Sequence, residues 1–185
     1  MTVSKKLSVL FFVAFVAQSS LYTSCTKKDD TPDEEQELIT TLKIVATNSN
    51  NAADVRTFMF KDIDGAGGNE PTIDNVSLAA NEVYNVTVEV LDESKTPAEN
   101  ITEEIAEEKN DHQFFFVPSV GLNLTNTYQD ADDNNLPVGL ITKFATGATS
   151  TGILTVTLKH QPGTKNNNIT TGETDAQVNF STVIQ

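Results

Sequence analysis

The chain of 185 residues has one Cys, no Trp and two His, with 12 Lys and Arg against 26 Asp and Glu for a formal charge of −14. Each shortage removes a class of protein. A single Cys rules out an internal disulfide framework and any zinc site built from paired cysteines. The scarcity of positive charge argues against a nucleic-acid partner, because phosphate recognition needs a basic footprint. No apolar run reaches the roughly 20 residues that a membrane-spanning helix requires. Neither a GxSxG elbow nor an HExxH pair is present, so two common hydrolase layouts are missing. What remains is one acidic module of about one domain's length, with a distinctive N-terminus.

That N-terminus reads as an address. Lys5 and Lys6 precede the apolar stretch Leu7–Ala17, and Gln18, Ser19 and Ser20 follow it. Basic, hydrophobic and polar regions in that order are the layout of a secretory signal. The sole Cys comes next, in Leu21-Tyr22-Thr23-Ser24-Cys25. Small residues directly before a Cys resemble the lipobox of bacterial lipoproteins. The resemblance implies removal of residues 1–24 and acylation of Cys25 with palmitate-type chains. Tyr22 departs from it, standing where such signals usually carry an aliphatic residue. Each buried acyl methylene contributes about 0.8 kcal/mol, so an acylated Cys25 is expected to hold the chain on a lipid bilayer. Lys27-Lys28-Asp29-Asp30 and Asp33-Glu34-Glu35 follow, with no large apolar side chain before Leu38. Such a stretch cannot bury a core and reads as a tether over residues 25–36. Cys-x-Lys-Lys-Asp-Asp also resembles the export signal of Bacteroidota lipoproteins. That implies the outer membrane and the cell surface, with the periplasmic face as the alternative.

From residue 37 onward the apolar period is two. Leu38, Leu42, Ile44 and Ala46 share one face, Phe58 and Phe60 another, and Tyr84, Val86, Val88 and Val90 a third. Similar runs fall at Ile73–Leu78, Leu122–Tyr128, Leu140–Ala145, Leu154–Leu158 and Val178–Ile184. His112, Phe114 and Phe116 alternate with Gln113, Phe115 and Val117, so that strand is expected in the middle of a sheet. About nine half-buried strands bounded by Gly, Asn, Asp and Pro predict an all-β, two-sheet antiparallel β-sandwich, immunoglobulin-like, filling residues 37–185 as a single domain. One segment breaks the period. Thr96–Lys109 carries Pro97, two capping-box spacings (Thr96 with Glu99, Asn100 with Glu103) and an apolar stripe of Ala98, Ile101 and Ile105. These predict one short acidic helix inserted between strands.

Candidate sites are few. Asp62 and Asp64 lead into a Gly-rich turn, and Asp130, Asp132 and Asn134 stand at alternate positions of a second loop. Carboxylates two apart resemble the opening of a calcium loop. Neither loop has the closing Glu, and a turn reading needs only the conformational tolerance of Gly and Asn. If the fold brings the loops together, they could share one calcium ion. His112 and His160 each end a strand in register with its buried face; if those ends meet, they are candidate transition-metal ligands with Asp111 or another carboxylate. No catalytic residues stand out, and the chain does not read as an enzyme. The many carboxylates leave a hydrolase as an alternative.

Taken whole, FKDIDGAGGNEP, PAENITEEIAEEKNDHQFFF, YQDADDNNLPVGL and TGILTVTLKHQP are similar to segments of small Bacteroidota, chiefly flavobacterial, lipoproteins of unknown function. The similarity runs from Glu37 to Gln185. Two functions suit the combination. One is a surface binding or accessory module of the outer membrane, partnered by a receptor of an uptake system or another envelope protein. The other is a structural or adhesive envelope protein with calcium-stabilised acidic loops.

Overall fold

The structure is a computed structural model that describes residues 38–65 and 67–185. The expected signal, Cys25 and the tether lie outside the described residues. In chain order the elements are β1 (Thr41–Asn48), β2 (Val55–Lys61), β3 (Thr72–Ile73), β4 (Val76–Leu78), β5 (Val83–Asp92), β6 (Glu99–Asn100), α1 (Ile101–Glu107), β7 (His112–Pro118), β8 (Leu124–Tyr128), β9 (Ile141–Thr146), β10 (Ser150–His160) and β11 (Glu173–Ile184). One sheet runs β3-β2-β1-β5-β9-β8, with β6 also paired to β5; the other runs β4-β11-β10-β7. The all-β sandwich expected from the alternation is what the chain forms.

Period-two patterning turns every second side chain to one face, and here those faces meet. Leu42, Ile44 and Ala46 of β1, Phe58 of β2, Tyr84 to Val90 of β5 and Phe144 of β9 face Phe114 and Phe116 of β7, Leu154 to Leu158 of β10, and Val178, Phe180 and Ile184 of β11. Two edge-to-face aromatic pairs join the layers. Phe58 meets Phe180 at 5.4 Å and 76°, and Phe116 meets Phe144 at 5.4 Å and 74°, the arrangement that ring quadrupoles favour. Leu38, expected on the inner face, precedes β1 and is exposed. No pairing across a sheet fixes its direction.

Eleven strands replace the expected nine for two reasons. The Ile73–Leu78 run is divided between the sheets: β3 pairs with β2, while β4 pairs with β11. Asp74 makes the crossing, its N–H donating to the Met59 carbonyl and its carboxylate accepting the Met59 N–H, both at 2.9 Å. The β4–β11 pair is parallel, the exception in an otherwise antiparallel fold. The other addition, β6, lies on β5 beyond the end of β9 and leads into α1. The helix buries Ile101 and Ile105, as expected, but Ala98 lies before it and is exposed. Neither capping box forms: the Asn100 amide donates to the Glu103 carboxylate instead of accepting a backbone N–H. Thr102 docks the helix, its hydroxyl accepting the Val90 N–H at 2.8 Å and donating to the Val90 carbonyl at 3.2 Å.

Strand β7 is at the edge of its sheet, not in the middle. Its second face is buried for a different reason: the β10–β11 connection lies over it, and Gln113 donates to Asn167 at 2.6 Å. The open backbone edge, a liability in any sheet, is also covered. The Phe114 N–H donates to the Val138 carbonyl at 2.7 Å, and the Tyr128 hydroxyl donates to the Phe114 carbonyl at 2.9 Å. Gly139, at φ +89°, permits that approach; a Cβ there would stand 2.8 Å from the Phe114 Cβ. Tyr128→Phe is expected to remove about 1 kcal/mol of stability, a fall of about 3 °C in Tm. Thermal unfolding followed by circular dichroism checks it.

Candidate functional site

Strand β7 starts where β10 ends, so His112 and His160 stand directly opposite each other in the ladder. Side chains so placed lie within contact distance, and the two imidazoles stack with centroids 4.6 Å apart and planes 9° from parallel. The alternation that buries Phe114 and Phe116, and Leu154 to Leu158, carries both rings onto the inner face at the end of the core. His112 is 9% exposed. The sequence left the meeting of the two strand ends as a condition, and the register meets it.

Two carboxylates approach the pair. Glu108 caps the C-terminal end of α1, four residues before His112, and its Oε2 is 3.7 Å from His112 Nδ1. The Glu108 carbonyl lies 3.4 Å from the same nitrogen. Among the described residues, Glu108, His112 and His160 form a group whose ligand atoms all lie within 4.8 Å of one another. Asp175 comes from the other side, with Oδ2 3.9 Å from His112 Nε2. It reaches there through a β-bulge. Leu158 is opposite Ala176 and Lys159 opposite Thr174, so Asp175 is the extra residue on β11. A bulge re-aims a side chain that strict alternation would send to the other face.

The electrostatics of the pair follow from burial. Desolvation lowers the His112 pKa and nearby His160 lowers it further, against the pull of Asp175. Desolvation also raises the Asp175 carboxyl, against the pull of both histidines. Each group is thereby pushed toward its neutral form. The buried Asp175 Oδ2 has no hydrogen-bond partner.

Asp111, the carboxylate adjoining His112 in sequence, serves another purpose. Its carbonyl accepts the Gln161 N–H at 2.6 Å and its Oδ1 accepts the Gly163 N–H at 3.1 Å, fastening the β10–β11 connection. Glu108 and Asp175 are the residues that sequence reasoning missed. The four-residue spacing to His112 could have drawn in Glu108. Nothing in TDAQVNF signals the bulge that turns Asp175.

The two acidic loops do not converge. Both leave the same end of the larger sheet, one from β2 and one between β8 and β9, with β1 and β5 between them. At about 4.8 Å per strand they stand on the order of 14 Å apart, too far to share one ion. All but one of their predicted carboxylates hold protein donors; Asp62, whose N–H donates to the Thr40 carbonyl at 2.8 Å, has a buried Oδ1 without a hydrogen-bond partner. Asp64 accepts the Asn69 backbone N–H at 3.0 Å and its side-chain amide at 2.6 Å. Asp130 accepts the N–H groups of Gly139 and Ile141, at 2.8 and 3.0 Å. Asp132 Oδ1 accepts those of Asn134 and Leu136, both at 2.8 Å. Asn134 takes part through its backbone, with its side chain on an exposed residue.

Asp132 Oδ2 then meets Lys165 Nζ at 3.1 Å, in an ion pair whose side chains are 0% and 3% exposed. Lys165 also donates to the Lys109 carbonyl at 2.7 Å, while Lys109 pairs with Asp133 at 2.5 Å. Three connections, 108–111, 129–140 and 161–172, are thus tied together beside the histidine pair. Burial acts to raise the Asp132 pKa, but the Leu136 N–H, Lys165 and the Asn134 N–H outweigh it and hold the carboxyl below its usual range. Burial lowers the Lys165 ammonium, against the pull of Asp132, Asp130 and Asp111. An ammonium already stands where a bound cation would have to approach Asp132.

No known protein family, no curated protein and no solved structure matches the chain.

Removing one partner of a buried ion pair strands the other charge, at a cost of roughly 3 kcal/mol. Lys165→Met is expected to destabilise by about that much, and Asp132→Asn combined with Lys165→Met by less, in urea unfolding at pH 7. The depressed Asp132 pKa sets the pH dependence. Its contribution is present above the unfolded-state value of about 3.9 and is lost as pH falls through the lower folded value. The gap between wild type and Lys165→Met should therefore narrow below about pH 4, as acid titration of the unfolding midpoint would show.

Proposed function

We propose that the protein is a lipid-anchored envelope protein of the outer membrane, displayed at the cell surface, whose sandwich acts as a binding or accessory module. The observation that carries this reading is Cys25, the sole cysteine, set directly after Thr23-Ser24 at the close of a signal-like leader and before a charged tether. The resemblance of Cys25-Thr26-Lys27-Lys28-Asp29-Asp30 to the export signal of Bacteroidota lipoproteins supports the same location. A sandwich does not specify an activity. What favours binding is the end of the domain where three connections gather around His112 and His160, a polar cluster on a rigid scaffold. Functional residues commonly occupy loops held in that way. The partner is a ligand or an uptake-system receptor in the same membrane. Asp130, Asp132 and Asp64 hold backbone N–H groups, with Asn69 and Lys165 completing their partners, which favours this reading over loops stabilised by calcium.

Cells fed labelled palmitate should label the wild-type protein and not Cys25→Ala, and the variant should move from the membrane to the soluble fraction. Protease added to intact cells should digest the wild-type domain. An unlabelled wild type, or a variant that keeps its label, overturns the anchor; protection from protease overturns the surface location.

A further inference from the structure

We propose that Glu108, His112 and His160 bind a divalent transition-metal cation of the zinc class, with Asp175 supporting His112 from behind. The proposal rests on the geometry of the sandwich and is independent of the anchoring through Cys25.

The case begins with what the imidazole of His112 lacks. A histidine acting as a plain hydrogen-bonded cap places its ring nitrogens about 2.7–3.2 Å from partners. His112 Nδ1 stands 3.4 Å from the Glu108 carbonyl, and Nε2 stands 3.9 Å from Asp175 Oδ2. Nδ1 thus has only a long hydrogen bond, Nε2 faces Asp175 beyond bonding distance, and Asp175 Oδ2 is buried without a partner. Polar groups left in that condition are costly. A cation on Nδ1 answers both shortages. It takes the lone pair on the side where the Glu108 carboxylate already lies, at 3.7 Å. That fixes the proton on Nε2, which faces Asp175. A ligating imidazole whose other N–H faces a carboxylate is the usual outer support of a histidine-bound metal.

The donor set then selects the ion. Two imidazoles and one carboxylate suit zinc and its neighbours, whereas calcium and magnesium require oxygen shells. Zinc bonds of about 2.0–2.2 Å put tetrahedral ligand atoms roughly 3.3 Å apart. The three ligand atoms lie within 4.8 Å of one another, so they must close by about 1.5 Å at most. Side-chain rotation supplies that distance. Glu108 is on the surface, and the stacked rings, 9° from parallel, need to tilt toward a common point while the ladder that pairs them stays in place. Three protein ligands leave a fourth position, filled by water or by a donor from a bound partner.

Titration calorimetry with Zn2+ on the purified full chain, run beside Cys25→Ser, tests the site. One equivalent is expected in both; if uptake disappears with Cys25, the thiol is the ligand and the proposal fails. His160→Ala and His112→Ala should each weaken binding by about 100-fold or more, and Asp175→Asn by about tenfold at unchanged stoichiometry. Glu108→Gln alters an exposed side chain and leaves the core intact, so its loss of affinity reads the site and not the fold. Co2+ should give visible absorption of tetrahedral character in the wild type and lose it in His160→Ala. Absence of uptake by the wild type, or unchanged affinity in His160→Ala or Glu108→Gln, overturns the assignment. A failed palmitate experiment leaves all of these outcomes unaffected.

Discussion

The inner faces of the two sheets meet through aromatic edges, Phe58 on Phe180 and Phe116 on Phe144, with no disulfide behind them. Register therefore carries the whole burden of keeping the layers matched. A slip of one residue along β10 would turn Leu154, Val156 and Leu158 outward together. It would also take His160 away from His112, because the imidazoles continue the same alternation. The arrangement of the polar end thus follows from apolar packing in the middle. The core positions the histidines, and the connections around them add detail.

An acidic chain places its few cations where they matter. Lys109, Lys159 and Lys165 all serve the end of the domain that carries the histidine pair. Lys159, 6% exposed, donates to the Gly172 carbonyl and to Thr174, each at 2.9 Å. Lys165 reaches Asp132 and the Lys109 carbonyl. These ammonium groups satisfy carbonyls and carboxylates that converging connections would otherwise leave unpaired. Backbone alone could not do this, since irregular segments have no ladder to absorb their polar groups.

The strands were legible because a half-buried strand writes its burial into a period of two; Tyr84 to Val90 is the clearest case. The meeting of His112 and His160 could be stated as a condition, and the antiparallel register met it. Other features escaped for definable reasons. The two-sided apolar pattern of β7 suggests a central strand, yet the same pattern results when a connection folds over an edge. The Ile73–Leu78 run looks like one strand because Asp74, which divides it between sheets, differs in no local way from a loop residue. Asp175 was hidden because a bulge shifts side-chain direction without any mark in composition. The Asp130 loop resembled a cation site because the same carboxylates serve equally well to hold backbone N–H groups and a lysine.

The parallel contact between β4 and β11 has a kinetic consequence. It joins segments that lie far apart in the chain, and the Gln185 amide reaches Ser77 across 108 residues. Closure of such a loop must precede the contacts that reward it, which places folding in the slow, millisecond-to-second range of topologically complex β proteins. Until residues 173–184 arrive, β4 has no neighbour and β10 has one open edge. A chain interrupted before them would leave the backbone edge of β10 open and Phe58 of the larger sheet without its partner Phe180. The smaller sheet can therefore be completed only after the last strand of the chain is in place.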